Sequence, residues 1–266
     1  MSIEEFVTLL RQKGEELYRD MPWRQDTRPY YVLVSELMLQ QTQVIRVISK
    51  FNAFIERFPN EESLAKASLA DVLRQWQGLG YNRRAKFLQD AAKTIANEFD
   101  GVFPAEEADI LKLPGVGKNT AGAISAYAFN KPSIFVETNI RTVYIHHFFN
   151  DQFDVDDKQI IGLLERTIDR KNPRQFYQNL MDYGSWLKVN GVRNISSSKH
   201  YKRQSALKGS VREVRGQIIR ELTVKNMDAG DLEKRIKADD RFEKALSSLI
   251  ADGLVTQAAT MLYLTK

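Results

Sequence analysis

The stretch Leu111-Lys112-Leu113-Pro114-Gly115-Val116-Gly117-Lys118-Asn119-Thr120-Ala121 sets two glycines around a valine, enters them through a proline and leaves them into a helix-forming run. Glycine accepts positive φ and proline fixes the entry angle, so the segment reads as a tight hairpin between two helices. The first N–H groups of the following helix then point outward without backbone partners, which suits a phosphate oxygen. The Gly-x-x-x-x-Gly-Lys-Ser/Thr spacing of a P-loop is missing and no strand precedes it, so a nucleoside triphosphate is not the expected ligand. Two readings remain at this point. Either Gly115, Val116, Gly117, Lys118, Asn119 and Thr120 meet a nucleic-acid backbone, or the segment is a plain turn between core helices.

Outward from this hairpin, the first 200 residues read as helix after helix. Residues 86 to 99 place Phe87, Leu88, Ala91, Ala92, Ile95 and Phe99 on one face, and residues 159 to 168 do the same with Ile160, Ile161, Leu164 and Ile168. Breaks fall at Gly, Pro and Asn clusters, among them Phe58-Pro59-Asn60, Gly78-Leu79-Gly80, Lys131-Pro132 and Asn172-Pro173. A polar stretch, Asn190 to Gly209, reads as a linker or exposed loop. After it come helical segments near 211–222, 229–237 and 241–252, then a hairpin built from Leu254-Val255 and Met261-Leu262-Tyr263-Leu264. The expected fold is mainly α, with a small winged-helix-like module over 206–266.

The chain has 266 residues, 39 Lys+Arg against 34 Asp+Glu, and no cysteine. Without cysteine there is no disulfide framework, no Cys-ligated zinc or iron–sulfur cluster and no thiol nucleophile. No apolar run approaches the roughly 20 residues of a bilayer span, and the acidic start Met1-Ser2-Ile3-Glu4-Glu5 lacks the basic region of a signal peptide. The expectation is a cytoplasmic, nucleoid-associated protein that does not engage membranes. The positive charge is localised: residues 186 to 225 hold ten basic residues against two acids. Such a stretch is either a polyanion-binding surface or a solvated linker.

Further blocks accompany the hairpin: Pro22-Trp23-Arg24, Ser35-Glu36-Leu37-Met38-Leu39-Gln40-Gln41-Thr42-Gln43-Val44, Gly78-Leu79-Gly80-Tyr81 and Val136-Glu137-Thr138-Asn139-Ile140-Arg141. In this order, over roughly residues 5 to 205, the chain resembles the adenine DNA glycosylase (MutY) branch of the helix-hairpin-helix (HhH-GPD) base-excision DNA glycosylase superfamily. The Glu36-to-Thr42 block is specific to that branch, whereas the hairpin belongs to the whole superfamily. The resemblance implies a two-lobed helix-hairpin-helix glycosylase fold over 1–205. Its six-helix barrel lobe would span about 27–130, and its second lobe 1–26 plus 131–205, with the C-terminal module following at 206–266. It also implies excision of a mispaired base flipped out of double-stranded DNA by a monomeric enzyme.

The residue roles follow from the same resemblance. Glu36 matches the general acid that protonates the departing base, and Leu37, Met38 and Leu39 are apolar neighbours suited to raising a carboxyl's pKa. Glu137 falls where the family has an Asp that faces the developing sugar cation, and Thr138 replaces a Gly; a displacement of about 1 Å there is enough to slow the chemistry about a hundredfold. Asn139 matches an Asn of the catalytic pocket. Asn119 stands where related lyases carry a Schiff-base Lys, so a monofunctional enzyme is expected. Lys118 is turned about 100° away and meets phosphate instead. Gln40, Gln41 and Tyr81 match residues that enter the duplex, and Arg83 and Arg84 are expected phosphate contacts. The backbone carbonyls of Leu111, Leu113 and Val116 are expected to hold a structural Na or K ion. His146 and His147 read as structural, and Asp154, Asp156 and Asp157 as helix caps.

Two departures stand out. The four positions at which relatives ligate an iron–sulfur cluster fall on Lys188, Ile195, Ser198 and Gln204, so no cluster is expected, the loop being ordered by packing while Lys199, Lys202 and Arg203 meet phosphate. About 60 residues of winged-helix-like module stand where adenine glycosylases carry a larger β-rich domain that recognises 8-oxoguanine. Adenine opposite guanine or 8-oxoguanine is the first expected target. Thymine, uracil or cytosine opposite guanine is an alternative, as is a catalytically weak protein that binds mismatched or distorted DNA. A transcription regulator acting through the terminal module would leave the first 200 residues without a role.

Overall fold

The computed structural model describes residues 1–201, 206–237 and 239–265. The fold is mainly helical. In chain order the first helices are α1 Ile3–Glu16, α2 Pro22–Gln25, α3 Pro29–Leu39, α4 Val44–Arg57, α5 Glu61–Lys66, α6 Leu69–Trp76 and α7 Arg83–Glu98. They are followed by α8 Glu107–Ile110, α9 Lys118–Phe129, α10 Thr138–Phe148, α11 Asp157–Thr167 and α12 Pro173–Val189. The C-terminal part holds α13 Val211–Leu222, α14 Ala229–Ile236 and α15 Arg241–Ala251, with strands β1 Met227–Asp228, β2 Val255–Ala258 and β3 Met261–Leu264. No described helix is long and apolar enough to cross a membrane.

The chain forms two compact units. The first comprises Met1–Val32, Ala105–Lys112 and Val116–Arg203. Its core gathers Phe6, Ile140, Tyr144, Leu164, Tyr177 and Leu180, with α12 packed against α1, α9 and α10. Helix starts in this unit are explicit in the sequence: Ser2 and Glu5 form a capping box on α1, and Asp156 and Gln159 form another on α11. Of the three aspartates expected as caps, Asp156 does this work. Arg24, from the Pro22-Trp23-Arg24 block, donates two hydrogen bonds to Asp182 of α12, at 2.7 and 3.0 Å, and Arg19 adds a third at 2.6 Å. The Asp182 side chain is 1% exposed and that of Arg24 6%. A buried carboxylate answered by two guanidiniums pins the N-terminal segment to α12.

The second unit comprises Leu33–Pro104, Leu113–Gly115 and Gln204–Lys266. Trp76, Phe54, Phe58 and Leu88 are fully buried in its helical part, where α7 packs on α5 and α6. In the C-terminal part, Val214, Ile218, Leu232, Phe242 and Leu262 are buried. The three strands form an antiparallel sheet in the order β1-β3-β2. The helix–strand–helix–helix–hairpin order is winged-helix-like, and the short strand β1, too brief to announce itself by alternation, completes the sheet.

The grouping of segments differs from the expected domain bounds: residues 27–32 and 105–112 fall in the first unit. Helix α9 belongs to the first unit, although the expected barrel lobe ran to residue 130. The segment expected as a separate domain over 206–266 falls in the second unit, where polar contacts join it to the helices of 33–104. Arg74 Nε donates to the Thr223 carbonyl at 3.0 Å, Gln77 binds the Thr223 hydroxyl, and Arg83 pairs with Asp252 at 3.5 Å.

Candidate functional site

The part of α3 that lies in the second unit, residues 33–39, is mostly apolar and mostly buried. Leu33, Val34, Ser35, Leu37 and Met38 are buried, and Glu36 between them is half-buried. The Glu36 carboxylate is thus the one break in an otherwise sealed stretch of helix. A half-buried carboxyl on a buried helix keeps one side open to a ligand, as a proton donor must.

The end of α3 runs into the loop Gln40-Gln41-Thr42, and the loop Leu79-Gly80-Tyr81 leads into α7. Gln41 and Tyr81 both have left-handed backbones, with φ of 57° and 48°, a conformation that costs a non-glycine residue about 1 kcal/mol or more. One side chain stabilises both. Arg84 is 6% exposed; its Nη1 donates to the carbonyls of Leu37 (2.7 Å), Met38 (2.9 Å) and Gln40 (2.5 Å). Its Nη2 donates to the Thr42 hydroxyl (3.1 Å) and the carbonyls of Leu79 (3.2 Å) and Gly80 (2.9 Å). The carbonyl immediately before each left-handed tip, Gln40 for Gln41 and Gly80 for Tyr81, is among them. The expectation that Arg84 meets phosphate is therefore corrected: the guanidinium is an internal clamp, and burial lowers its pKa to about 10. A signal was present in the sequence, since Arg84 lies in the first turn of α7, where the helix dipole disfavours a cation that has no other partner.

Arg83 is exposed but paired with Asp252, and its guanidinium lies 4.9 Å from the Phe87 ring. The Tyr81 hydroxyl accepts a 2.6 Å hydrogen bond from Arg212 of α13. In the sequence Arg212 belongs only to the basic stretch; the contact is invisible in one dimension because the two residues belong to segments 131 positions apart.

At the hairpin, Gly115 has φ of 78°, and a Cβ there would come within 2.6 Å of Phe87 Cβ. Val116 is buried, Gly117 caps α9 with its backbone, and Gly117, Lys118 and Asn119 are exposed, with Thr120 half-buried behind them. No acidic residue occupies the first turn of α9. Its end therefore keeps the positive potential that an anion would use.

Still within the first unit, Asn119 Nδ2 donates to the Val136 carbonyl at 2.7 Å and so ties α9 to the segment entering Glu137. Glu137 caps α10, accepting the Asn139 N–H at 2.7 Å. The extra methylene relative to Asp is taken up by this fold-back onto its own helix. Asn139 contacts Met181 through Nδ2, and its Oδ1 is buried with no hydrogen-bond partner in the structure, an acceptor of the kind that functional sites retain. Gly184 of α12 permits this arrangement: a Cβ there would lie 2.5 Å from the Asn139 carbonyl oxygen and 2.7 Å from Asn139 Cβ. Gly184→Ala should destabilise the protein by about 1–3 kcal/mol, the cost of overpacking against backbone. A urea melt checks this, and an unchanged midpoint would mean that α10 and α12 separate freely.

The basic stretch is less available than its composition suggests. Lys199 lies 3.5 Å from Asp156, and Arg215 is paired with Asp252 at 2.7 Å. Lys188 is half-buried, and desolvation lowers its pKa. Lys202 and Arg203, expected to meet phosphate, lie outside the described residues. The loop expected to be ordered by packing alone is held by hydrogen bonds as well. Val155 N donates to Ser197 O (2.8 Å), Lys199 N to Val155 O (3.1 Å) and Asn194 Nδ2 to Thr142 O (3.0 Å). Of the four cluster positions, Gln204 is outside the described residues, and an amine, an aliphatic chain and a hydroxyl at Lys188, Ile195 and Ser198 do not fit iron–sulfur ligation. Among the described residues, no group of three or more His, Asp or Glu is placed to hold a metal ion. His147 bonds the Tyr183 hydroxyl at 2.9 Å, and burial lowers its pKa to about 4, which keeps it a neutral structural group.

The sequence pattern of the HhH-GPD superfamily base excision DNA repair proteins matches residues 34–169. The chain is 40% identical over 187 residues to an adenine DNA glycosylase of Buchnera aphidicola subsp. Baizongia pistaciae, covering 68% of this chain and 52% of that protein. It is 32% identical over 271 residues to an adenine DNA glycosylase of Mycobacterium tuberculosis, covering 90% of this chain and 86% of that protein. The structure of a thermostable thymine-DNA glycosylase superposes with a TM-score of 0.61 at 26% identity, covering 69% of this chain and 86% of that one. The chain thus spans about half the length of the Buchnera protein and most of the mycobacterial one.

Proposed function

Because this chain belongs to the HhH-GPD superfamily of base excision DNA repair proteins, we propose that it is a monofunctional DNA glycosylase that removes adenine opposite guanine or 8-oxoguanine in double-stranded DNA. The observation that carries this reading is the half-buried Glu36 carboxylate set into the sealed stretch of α3. In the proposed reaction the target nucleotide leaves the stack, Glu36 donates a proton to the departing base, and the bond from that base to C1′ breaks. The Glu137 carboxylate stabilises the resulting sugar cation, water adds to C1′, and its proton passes to the carboxylate left on Glu36, which restores the acid. Asn119 has no amine with which to form a Schiff base, so the product is an intact abasic strand.

DNA is engaged, in this reading, by the hairpin from Gly115 to Thr120 and by Gln40, Gln41 and Tyr81 in the duplex. Arg83, Lys199, Lys202 and Arg203 add positive potential, and Arg84 acts from inside. A monovalent cation on the Leu111, Leu113 and Val116 carbonyls, a monomeric state and the lack of any cofactor belong to the same proposal. A second reading, excision of thymine or another pyrimidine opposite guanine, is favoured by the likeness to the thymine-DNA glycosylase and by Glu137-Thr138 in place of the family's usual pair.

The test is a panel of duplexes carrying each single mispair and 8-oxoguanine opposite adenine, with strand cleavage read before and after alkali. Cleavage at adenine only after alkali is the expected result. Cleavage without alkali would overturn the monofunctional assignment, cleavage at a pyrimidine instead would favour the second reading, and no cleavage on any duplex would remove the enzyme.

A further inference from the structure

Tyr81 sits at a left-handed loop tip with two cations near its ring. The guanidinium carbon of Arg84 lies 5.4 Å from the ring centroid and that of Arg212 lies 5.0 Å away, both within cation–π range. Arg212 also donates to the Tyr81 hydroxyl at 2.6 Å. Arg212 is the second residue of α13, a position where the helix dipole disfavours a cation, and the contact with the tyrosine works against that cost. The far end of α13 is held as well, through Thr223 on Arg74 and Gln77 of α6. Helix α13 therefore bears on the helices of 33–104 at both of its ends, one of them on the tyrosine ring.

We propose that Arg212 is a positioning residue, through which the C-terminal module holds the Tyr81 ring in the conformation in which it enters the duplex. The inference rests on the glycosylase reading above and extends it, by giving the module a part in base extrusion. A loop-tip aromatic that is free to rotate must be ordered when it inserts between bases, and that entropy cost falls on the extrusion step. A ring already fixed at its face and at its hydroxyl avoids that cost.

The test is a double-mutant cycle in the full-length chain with Arg212→Ala, Tyr81→Ala and both together, read in two ways. One is single-turnover excision; the other is the fluorescence of 2-aminopurine placed beside the target base, which reports unstacking whether or not a base is removed. Arg212→Ala is expected to lower both by about tenfold with Tyr81 present and to change neither with Tyr81→Ala, a coupling within the range seen for contacting residues. Arg212→Lys, which keeps the charge and a donor but not the planar stack, should restore part of the loss. Equal losses in the two backgrounds, or none in either, would overturn the inference. Wild-type protein that unstacks but never excises would remove the glycosylase reading, and the coupling in the fluorescence would still decide the role of Arg212. Thermal melts of each variant separate unfolding from loss of positioning.

Discussion

Glu36→Gln should lower single-turnover excision by roughly 10²- to 10⁴-fold, the range associated with loss of a general acid, while duplex affinity and melting temperature stay near those of the parent. Glutamine keeps the shape and the hydrogen-bonding capacity of the side chain, and the buried neighbours Leu37 and Met38 are untouched. What disappears is a proton that can be transferred to the leaving base. The chemistry is separated from binding by measuring the excision rate at saturating enzyme and the affinity for an abasic-site duplex in parallel. A loss smaller than about tenfold would mean that Glu36 only packs α3 and that the acid lies elsewhere.

The second large effect is expected at Arg84. Arg84→Ala takes a donor from the carbonyls of Leu37, Met38, Gln40, Leu79 and Gly80 and from the Thr42 hydroxyl, leaving Gly80 with Trp76 Nε1 and Gln40 and Leu79 with the weaker Thr42 hydroxyl. Water can reach some of these groups, but at about 1–3 kcal/mol for each buried acceptor left unsatisfied the total should come to about 3–5 kcal/mol. At about 2–4 °C per kcal/mol for a chain of this size, the melting temperature should fall by roughly 10 °C. Excision should fall with it, because the tips at Gln41 and Tyr81 lose the guanidinium that holds the carbonyl before each. Arg84→Lys should rescue little, since an ammonium has three donors and no fork. The outcome distinguishes the clamp from a phosphate contact: a phosphate-binding arginine would leave the melting temperature unchanged and reduce the salt dependence of DNA affinity by about one charge.

Glu36 falls inside a legible block and Arg84 just beyond another, and they differ in how much of their role was legible. Glu36 could be singled out because the block around it has a recognisable order and Leu37, Met38 and Leu39 follow it. Arg84 was visible as a charge next to another charge, and its role was misread, because a guanidinium facing water and one facing five carbonyls have the same letter. Glu137 was located, but its fold-back onto the Asn139 N–H depends on side-chain torsions that no pattern encodes. Asp156 as a cap needed no tertiary information, since a capping box is a contact between residues three apart.

Local order in the chain thus determined the helices, the hairpin between α8 and α9, the missing thiolates and the candidate carboxylates, because propensity, capping and turn chemistry act over a few residues. Tertiary structure alone decided which charges are buried, that Asp182 gathers Arg19 and Arg24, that Gly184 must lack a side chain beside Asn139, and that the C-terminal module belongs with 33–104. It also brought Arg212 to the Tyr81 hydroxyl. Each of these depends on desolvation or on contact between segments far apart in the chain, and both are set by the packed fold instead of by neighbouring residues.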